Sequence, residues 1–512
     1  RRRELVEPLR VDVATFTQDH GPQPAKAISL YCRGCNTRYY YSYYLYGAAR
    51  TYYREVRQYT QAVEHVYVDD KTCAMFSSMM VNSWCLPLLR TSATNCARIY
   101  KASIVEIHPF RSLLPVNYST RLTLDTELVW NAVLMYWLQN DHRECGTTLE
   151  LNHDVPSHAV RISQGLKRRN DRYVGTGQPE WNHGCEVCCW ITVDESGDPQ
   201  YVRSVVVDGV TVGRPCCGKP DCDNPLATVN SRHCSEHEGM NYICCLDICG
   251  DLAETGFRTC ANPDHRAFET HLLEEAKSVF QLKRRRDRER KSAPVNHPPL
   301  DAGDESEDEN GSDSCEGKPE GGNRTLKARF GRRRTHNEEL CVASCGVILG
   351  RATMYGSEAP NGVITFLKAL FPTQRSLPQV IWHDNNCRIY AMLENSPEDK
   401  EYFAFVALPV DVFHFKAKHK ESDTQCNAHC NASNWPDLMT KDNKWRFNSS
   451  AAEQTNGWFG KYASIVREME AIRYDFFLDE MIKQRNSARV QELEAKGKRP
   501  FQFSRADLLR VD

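Results

Sequence analysis

No uncharged apolar run in this 512-residue chain approaches the roughly 18 residues needed to cross a bilayer, so no membrane partner is expected. The first residues, RRRELVEPLR, lack the apolar stretch of a secretory signal. On these grounds the chain is expected to be intracellular. An excess of either charge is also missing: 65 Lys and Arg stand against 67 Asp and Glu, a formal net of −2. Whole-molecule charge therefore argues neither for nor against a nucleic-acid partner, and any such surface has to be local.

Cysteine is abundant, with 23 residues, eleven of them between Cys185 and Cys260. Disulfides are rare in a reducing compartment, so interleaved Cys and His read as metal ligands. One set is Cys217-x4-Cys222-x11-Cys234-x2-His237, and a second follows as Cys244-x4-Cys249-x10-Cys260-x4-His265. Each offers three thiolates and one imidazole, which zinc takes tetrahedrally. Cys216 and Cys245 could stand in for their neighbours, and the two sites could be cross-braced. A third site is expected from Cys32-x2-Cys35 and Cys185-x2-Cys188, closing the N-terminal domain onto the cluster. A fourth is His414-x4-His419-x6-Cys426-x3-Cys430. All four are closed by protein ligands, which makes them structural Zn2+ sites whose binding energy is part of folding.

The fold class expected is multidomain α+β. Residues 1–175 form an N-terminal cysteine-cluster domain, in which the stripe of LDTELVWNAVLMYWLQ predicts a helix. Residues 176–270 form the tandem zinc cluster, with WITVDESGDPQYVRSVVVDGVTVG as a hairpin. Residues 283–326, KRRRDRERK followed by an acidic block, read as a disordered linker carrying a nuclear localisation signal. Residues 327–486 are an α/β domain ending in an amphipathic helix over YASIVREMEAIRYDFFLDEMI, and 487–512 are a C-terminal extension.

In VIWHDNNC a strand run ends in Asp384, and Glu453 follows capping serines in FNSSAAEQTNGWF. Two such carboxylates could hold Mg2+ or Mn2+ for phosphodiester chemistry.

The motifs IWHDNNCRIYAML, LPVDVFHFKAKHKESDTQCNAHCN, FNSSAAEQTNGWFGKY and REMEAIRYDFFLDEMI resemble fungal KDZ (Kyakuja-Dileera-Zisupton) transposases. CRGCNTRYY through TSATNCARIY resembles their CxC five-like cysteine cluster, and VDGVTVGRPCC through FRTCANPDHRAFE the CxC six-like cluster. The resemblance implies a nuclear protein with a C-terminal α/β ribonuclease-H-like transposase-type domain, in which three acids hold two metal ions. Asp384 matches the second acid and Glu453 the third, with His414 and His419 between them. The first acid is expected on the opening strand, sought in LKARFGRRRTHNEELCVASCG, where Glu338 and Glu339 precede the apolar run and no Asp stands on it. Two readings therefore stand. One is a metal-dependent DNA transposase. The other is a non-catalytic zinc-cluster accessory that binds DNA, a partner transposase or its own copies through RRRTHN, KRRRDRERK and GLKRRNDR.

Overall fold

β1 (Val6–Thr17), with Val11, Val13, Thr15, Phe16 and Thr17 near its end, is rich in β-branched and aromatic side chains and pairs antiparallel with β2 (Gly21–Cys32). The computed structural model describes residues 5–55, 58–81, 91–106, 122–193, 197, 199–246, 249–275, 331–418 and 423–511. The linker expected at 283–326 and His419 lie outside these residues. After β2 come β3 (Thr37–Tyr39), β4 (Tyr43–Tyr46), β5 (Ala49–Tyr52), β6 (Tyr59–Val63) and β7 (Val66–Asp69). The tyrosine-rich stretch is thus strand, and its rings pack on one another: Tyr40 stacks on Tyr43 at 4.5 Å between centroids. Helices α1 (Asp70–Val81), α2 (Ala93–Tyr100) and α3 (Thr126–Glu144) follow. Asp125 caps α3 by accepting from Leu128 N–H at 2.9 Å, and Val129, Ala132, Val133 and Trp137 are its buried stripe. Strand β8 (Glu150–Asn152) closes an eight-stranded sheet in the order β6-β7-β1-β2-β3-β4-β5-β8, and α4 (His158–Tyr173) comes next.

The hairpin expected around SGDP is present as β10 (Cys189–Val193) and β11 (Pro199–Val210), preceded by the two-residue strand β9 (His183–Gly184). Strand β11 continues past the hairpin. Its far half pairs antiparallel with β12 (Asn337–Ala343), which pairs antiparallel with β13 (Ile348–Met354). Its other edge pairs parallel with β14 (Val380–Trp382), Val206 opposite Trp382. The strand read as part of the cysteine cluster is therefore the central strand of this sheet.

Alternation along β11 sorts its side chains to two cores. Val206 packs with Leu340, Val342 and Trp382, while Val205 and Val207 pack with Cys341, Ala343 and Ile381. A sheet covered on both faces needs an unbroken apolar run, which SVVVDGV supplies. After α5 (Pro263–Glu275) in the cysteine-rich segment, the chain crosses over between β13 and β14 through α6 (Pro360–Leu370), and after β14 come α7 (Asn386–Glu394) and α8 (Pro397–Tyr402). α6 and α7 bury Val363, Leu367, Ile389 and Leu393 on one face. Two short helices, α9 (Val412–Lys418) and α10 (Thr424–His429), lead to α11 (Ala451–Phe459). α11 and the long α12 (Ala471–Ala495) bury Ala452, Phe459, Phe476 and Phe477 on the opposite face. The helix expected over YASIVREMEAIRYDFFLDEMI is interrupted: one turn at Ala463–Val466 is separated from α12 by Glu470 in extended conformation. The terminal strand β15 (Phe501–Gln502) pairs with β9.

Arg1–Pro215 and Arg334–Asp512 form one compact unit, and Cys216–Arg333 a second. In the first, one core runs from Phe16 and Trp137 to Val206 and Phe477, so segments expected as separate domains share an interior. No described helix is long and apolar enough to cross a membrane.

Buried charge also ties this unit together. Arg351 on β13 pairs with Glu338 and Asp479, both at 2.8 Å, and with Asp475 at 3.1 Å. Replacing Arg351 by Met strands two buried carboxylates. The loss expected in chemical denaturation is about 3–5 kcal/mol, and one below about 1 kcal/mol would contradict the assignment.

Candidate metal centres

In the second unit four ligand atoms converge twice, within 4.8 Å of one another: Cys217, Cys222, Cys234 and His237, then Cys244, Cys249, Cys260 and His265. His237 Nδ1 lies 3.6, 3.4 and 3.2 Å from the sulfurs of Cys217, Cys222 and Cys234. His265 Nδ1 lies 3.7 and 3.3 Å from those of Cys244 and Cys260, and Cys249 Sγ is 3.8 Å from Cys260 Sγ. Zinc bonded to sulfur at about 2.3 Å and to nitrogen at about 2.0 Å sets tetrahedral edges of roughly 3.8 and 3.5 Å. The donor sets fit zinc. Each group that could hold an ion draws on one run of the chain, without cross-bracing, and Cys216 and Cys245 belong to neither.

The other two expected groups are arranged differently. Cys185 and Cys188 converge with His183 and Cys345, and Cys32 and Cys35 are not among them. The reason is topological. Cys32 and Cys35 sit where β2 turns into β3 of the N-terminal sheet, whereas 183–188 runs beside the β12–β13 turn. His414 likewise parts from Cys426 and Cys430. Helix α9 directs it to a group of carboxylates, while both cysteines turn inward under Val410 beside Cys387, where burial pushes their thiols up to about 12.

Those carboxylates include both expected acids. His414 Nε2 is 2.9 Å from Asp384 Oδ2, and its Nδ1 is 3.4 Å from Glu453 Oε1 and 3.5 Å from Asp411 Oδ1. Asp411 caps α9, accepting from the N–H groups of Phe413 and His414 at 2.9 and 3.1 Å.

A third acid reaches the same place from β11. The β11–β14 pairing ends at Val206 opposite Trp382, and Asp208 and Asp384 each lie two residues beyond it, close enough that the Asp384 charge acts on the Asp208 carboxyl. α11 covers the Val206 face of β11, and one turn after Glu453 its Asn456 donates to Asp208 Oδ2 at 2.8 Å. Burial, then the charges of Asp384, Glu339 and Glu358, push the Asp208 carboxyl up to about 7. Asp208 was missed because its strand was assigned to the cysteine cluster. The signal was legible: SVVVDGV is an apolar strand ending in an acid, as VIWHD is.

On the opposite face lies a second acidic group. His383 Nε2 is 3.7 Å from Glu339 Oε1 and 3.7 Å from Glu358 Oε1, and neither Glu339 oxygen has a hydrogen-bond partner. Gly209 is required between the groups, since a Cβ there would stand 2.0 Å from Asn337 Nδ2 and 2.6 Å from Glu358 Oε2.

The raised Asp208 value has a defined sign. The folded, cation-free protein binds more protons than the unfolded chain between about pH 4 and 7, so stability from this group falls as pH rises through that window. At about 1.4 kcal/mol per pH unit the loss reaches up to about 4 kcal/mol. The expected result is a steeper fall in unfolding free energy from pH 5 to 8 for the wild type than for Asp208→Asn, with Mg2+ flattening the difference. Parallel pH profiles would contradict it.

Of the basic segments, GLKRRNDR is largely consumed internally. Arg169 is fully buried against Glu480 at 2.9 Å, and Lys167 pairs with Asp171 at 2.7 Å. In RRRTHN, Arg332 donates to the Val229 carbonyl at 2.6 Å and Arg333 to that of Lys219 at 2.8 Å. KRRRDRERK lies outside the described residues.

Residues 1–104 match the family model of the CxC5 like cysteine cluster associated with KDZ transposases. Residues 206–271 match that of the CxC6 like cysteine cluster associated with KDZ transposases, a segment that holds both four-ligand groups and Asp208. No curated protein and no solved structure matches the chain.

Proposed function

We propose, on the premise that the chain carries both KDZ-associated cysteine clusters, that it is a zinc-binding, DNA-associated nuclear protein of transposase type. Its ribonuclease-H-like sheet would bear a centre for divalent-ion-dependent cleavage of phosphodiesters. The reading rests on three acids: Asp208 and Asp384, each two residues past the parallel pair Val206–Trp382, with the Asp384 charge acting on Asp208, and Glu453 on the helix whose Asn456 donates to Asp208, His414 touching both Asp384 and Glu453.

Asp208, Asp384 and Glu453 fit Mg2+ or Mn2+, being hard oxygen donors, and Asp208 is raised by burial and then by the Asp384 charge. A pair of such ions, when bound, stabilises the attacking and leaving oxygens of an in-line displacement. The protein's own residues set the frame. Asn456 fixes the Asp208 carboxylate, Asp411 anchors the helix that carries His414, and His414 spans Asp384 and Glu453. The test is nicking of supercoiled plasmid DNA by the full chain in Mn2+ against EDTA. Cation-dependent nicking is expected. Salt-sensitive DNA binding without nicking would leave the non-catalytic accessory reading in its place.

A further inference from the structure

We infer that His183, Cys185, Cys188 and Cys345 hold a third structural zinc ion, outside both matched cysteine clusters. Their four ligand atoms lie within 4.8 Å of one another, and all four residues are buried. Cys185 Sγ is 3.5 Å from Cys188 Sγ, and Cys345 Sγ is 3.4 Å from His183 Nε2, close to the edges of a tetrahedron around zinc.

The imidazole is oriented as a ligand. Its Nε2 faces the thiols, and its Nδ1 faces the Glu180 carboxylate at 3.7 Å. A carboxylate behind the far ring nitrogen fixes the tautomer that leaves Nε2 free to bind metal. The backbone is shaped for the same purpose. Cys185 and Cys188 sit in a tight turn in which Cys189 N–H donates to the Cys185 carbonyl at 2.9 Å. Cys345 stands in the β12–β13 turn, which Gly346 closes at φ +91°. Arg489 Nε pins the Cys345 carbonyl at 2.7 Å, and Arg485 pins that of Gly346 at 2.6 Å.

The ion would join segments far apart in sequence. His183 and Gly184 pair with Gln502 and Phe501 of β15, and Gly184 admits the Phe501 ring where a Cβ would meet it at 2.7 Å. One centre thus ties the β10–β11 hairpin, the β12–β13 turn and the terminal strand. It lies at the end of the sheet away from Asp208, because Ala343 pairs with Val205 and Leu340 with Asp208. Its ligands are all protein side chains, so its role is to hold the sheet.

The test is metal content of the full chain, purified with zinc and then dialysed against Mg2+ to fill carboxylate sites. Three zinc ions per chain are expected by elemental analysis, and two in Cys345→Ser. His183→Cys retains three, and after cobalt substitution its visible bands move from a three-sulfur, one-nitrogen pattern towards a four-sulfur one. Two ions in the wild type overturn the inference without any variant. Three ions in Cys345→Ser, or cobalt bands unmoved in His183→Cys, overturn it as well.

Discussion

Asp208→Asn is expected to abolish Mn2+-dependent nicking as completely as Asp384→Asn or Glu453→Gln. Removing even an outer-shell partner of a metal typically costs about 10–100-fold, so losing a direct carboxylate ligand should cost more. Asn456→Ala, which only frees the Asp208 carboxylate, should fall in that smaller range. The pH dependence follows from the same geometry. The ion requires Asp208 ionised, and its carboxyl sits at about 7, so nicking should rise as pH rises through that value. This is opposite in sign to the effect on cation-free stability. Undiminished nicking by Asp208→Asn would mean that the first acid lies elsewhere. A rate that falls between pH 6 and 8 would remove Asp208 from the metal site.

How much of this was legible in the sequence depended on whether the signal was local. The two tandem Cys3His sets could be read directly, because each closes within about two dozen residues and needs only tight turns to converge. Asp384 and Glu453 could be marked from strand-end and helix-start patterns, and the family resemblance put them at one site with His414, which the structure places 2.9 Å from Asp384 and 3.4 Å from Glu453. The grouping of Cys185 and Cys188 with Cys345 was beyond reach, since it depends on β12 lying beside β11. Asp208 failed for the opposite reason. Its local signal was strong, yet the zinc module begins only a few residues after it, which hid that the sheet opens before the cysteines and resumes after them. His414 and Cys426, close in sequence, were read as one ligand set. Two short helices send one to the acids and the other into an apolar pocket.

Zinc removal should unfold the second unit outright, while the first loosens only around His183–Cys188 and the β12–β13 turn and its packed sheets persist. The described residues of Cys216–Arg333 bury little apolar surface beyond the ligands: the two local clusters consist of cysteines with Leu226 and Leu246. Remaining order comes from isolated polar contacts, such as Glu269 accepting from Arg258 N–H at 3.0 Å and Thr259 Oγ1 at 2.6 Å. Such contacts contribute about 1 kcal/mol each, against apparent binding energies of about 10–16 kcal/mol for a structural zinc near neutral pH. Without the ions, clustered thiols and exposed backbone have nothing comparable to hold them. Limited proteolysis after treatment with a strong chelator should therefore cut first within residues 216–271, and Cys217→Ser should open its own half of that segment even with zinc present. Lowering pH should have the same effect, because protons compete for the thiolates and imidazoles. The first unit buries Trp137, Val206, Phe476 and Phe477 in a continuous core, so its strands should still resist protease when 216–271 no longer does. If residues 216–271 keep their resistance after complete metal loss, the cysteines are not ligands and the module is held by forces absent from its packing.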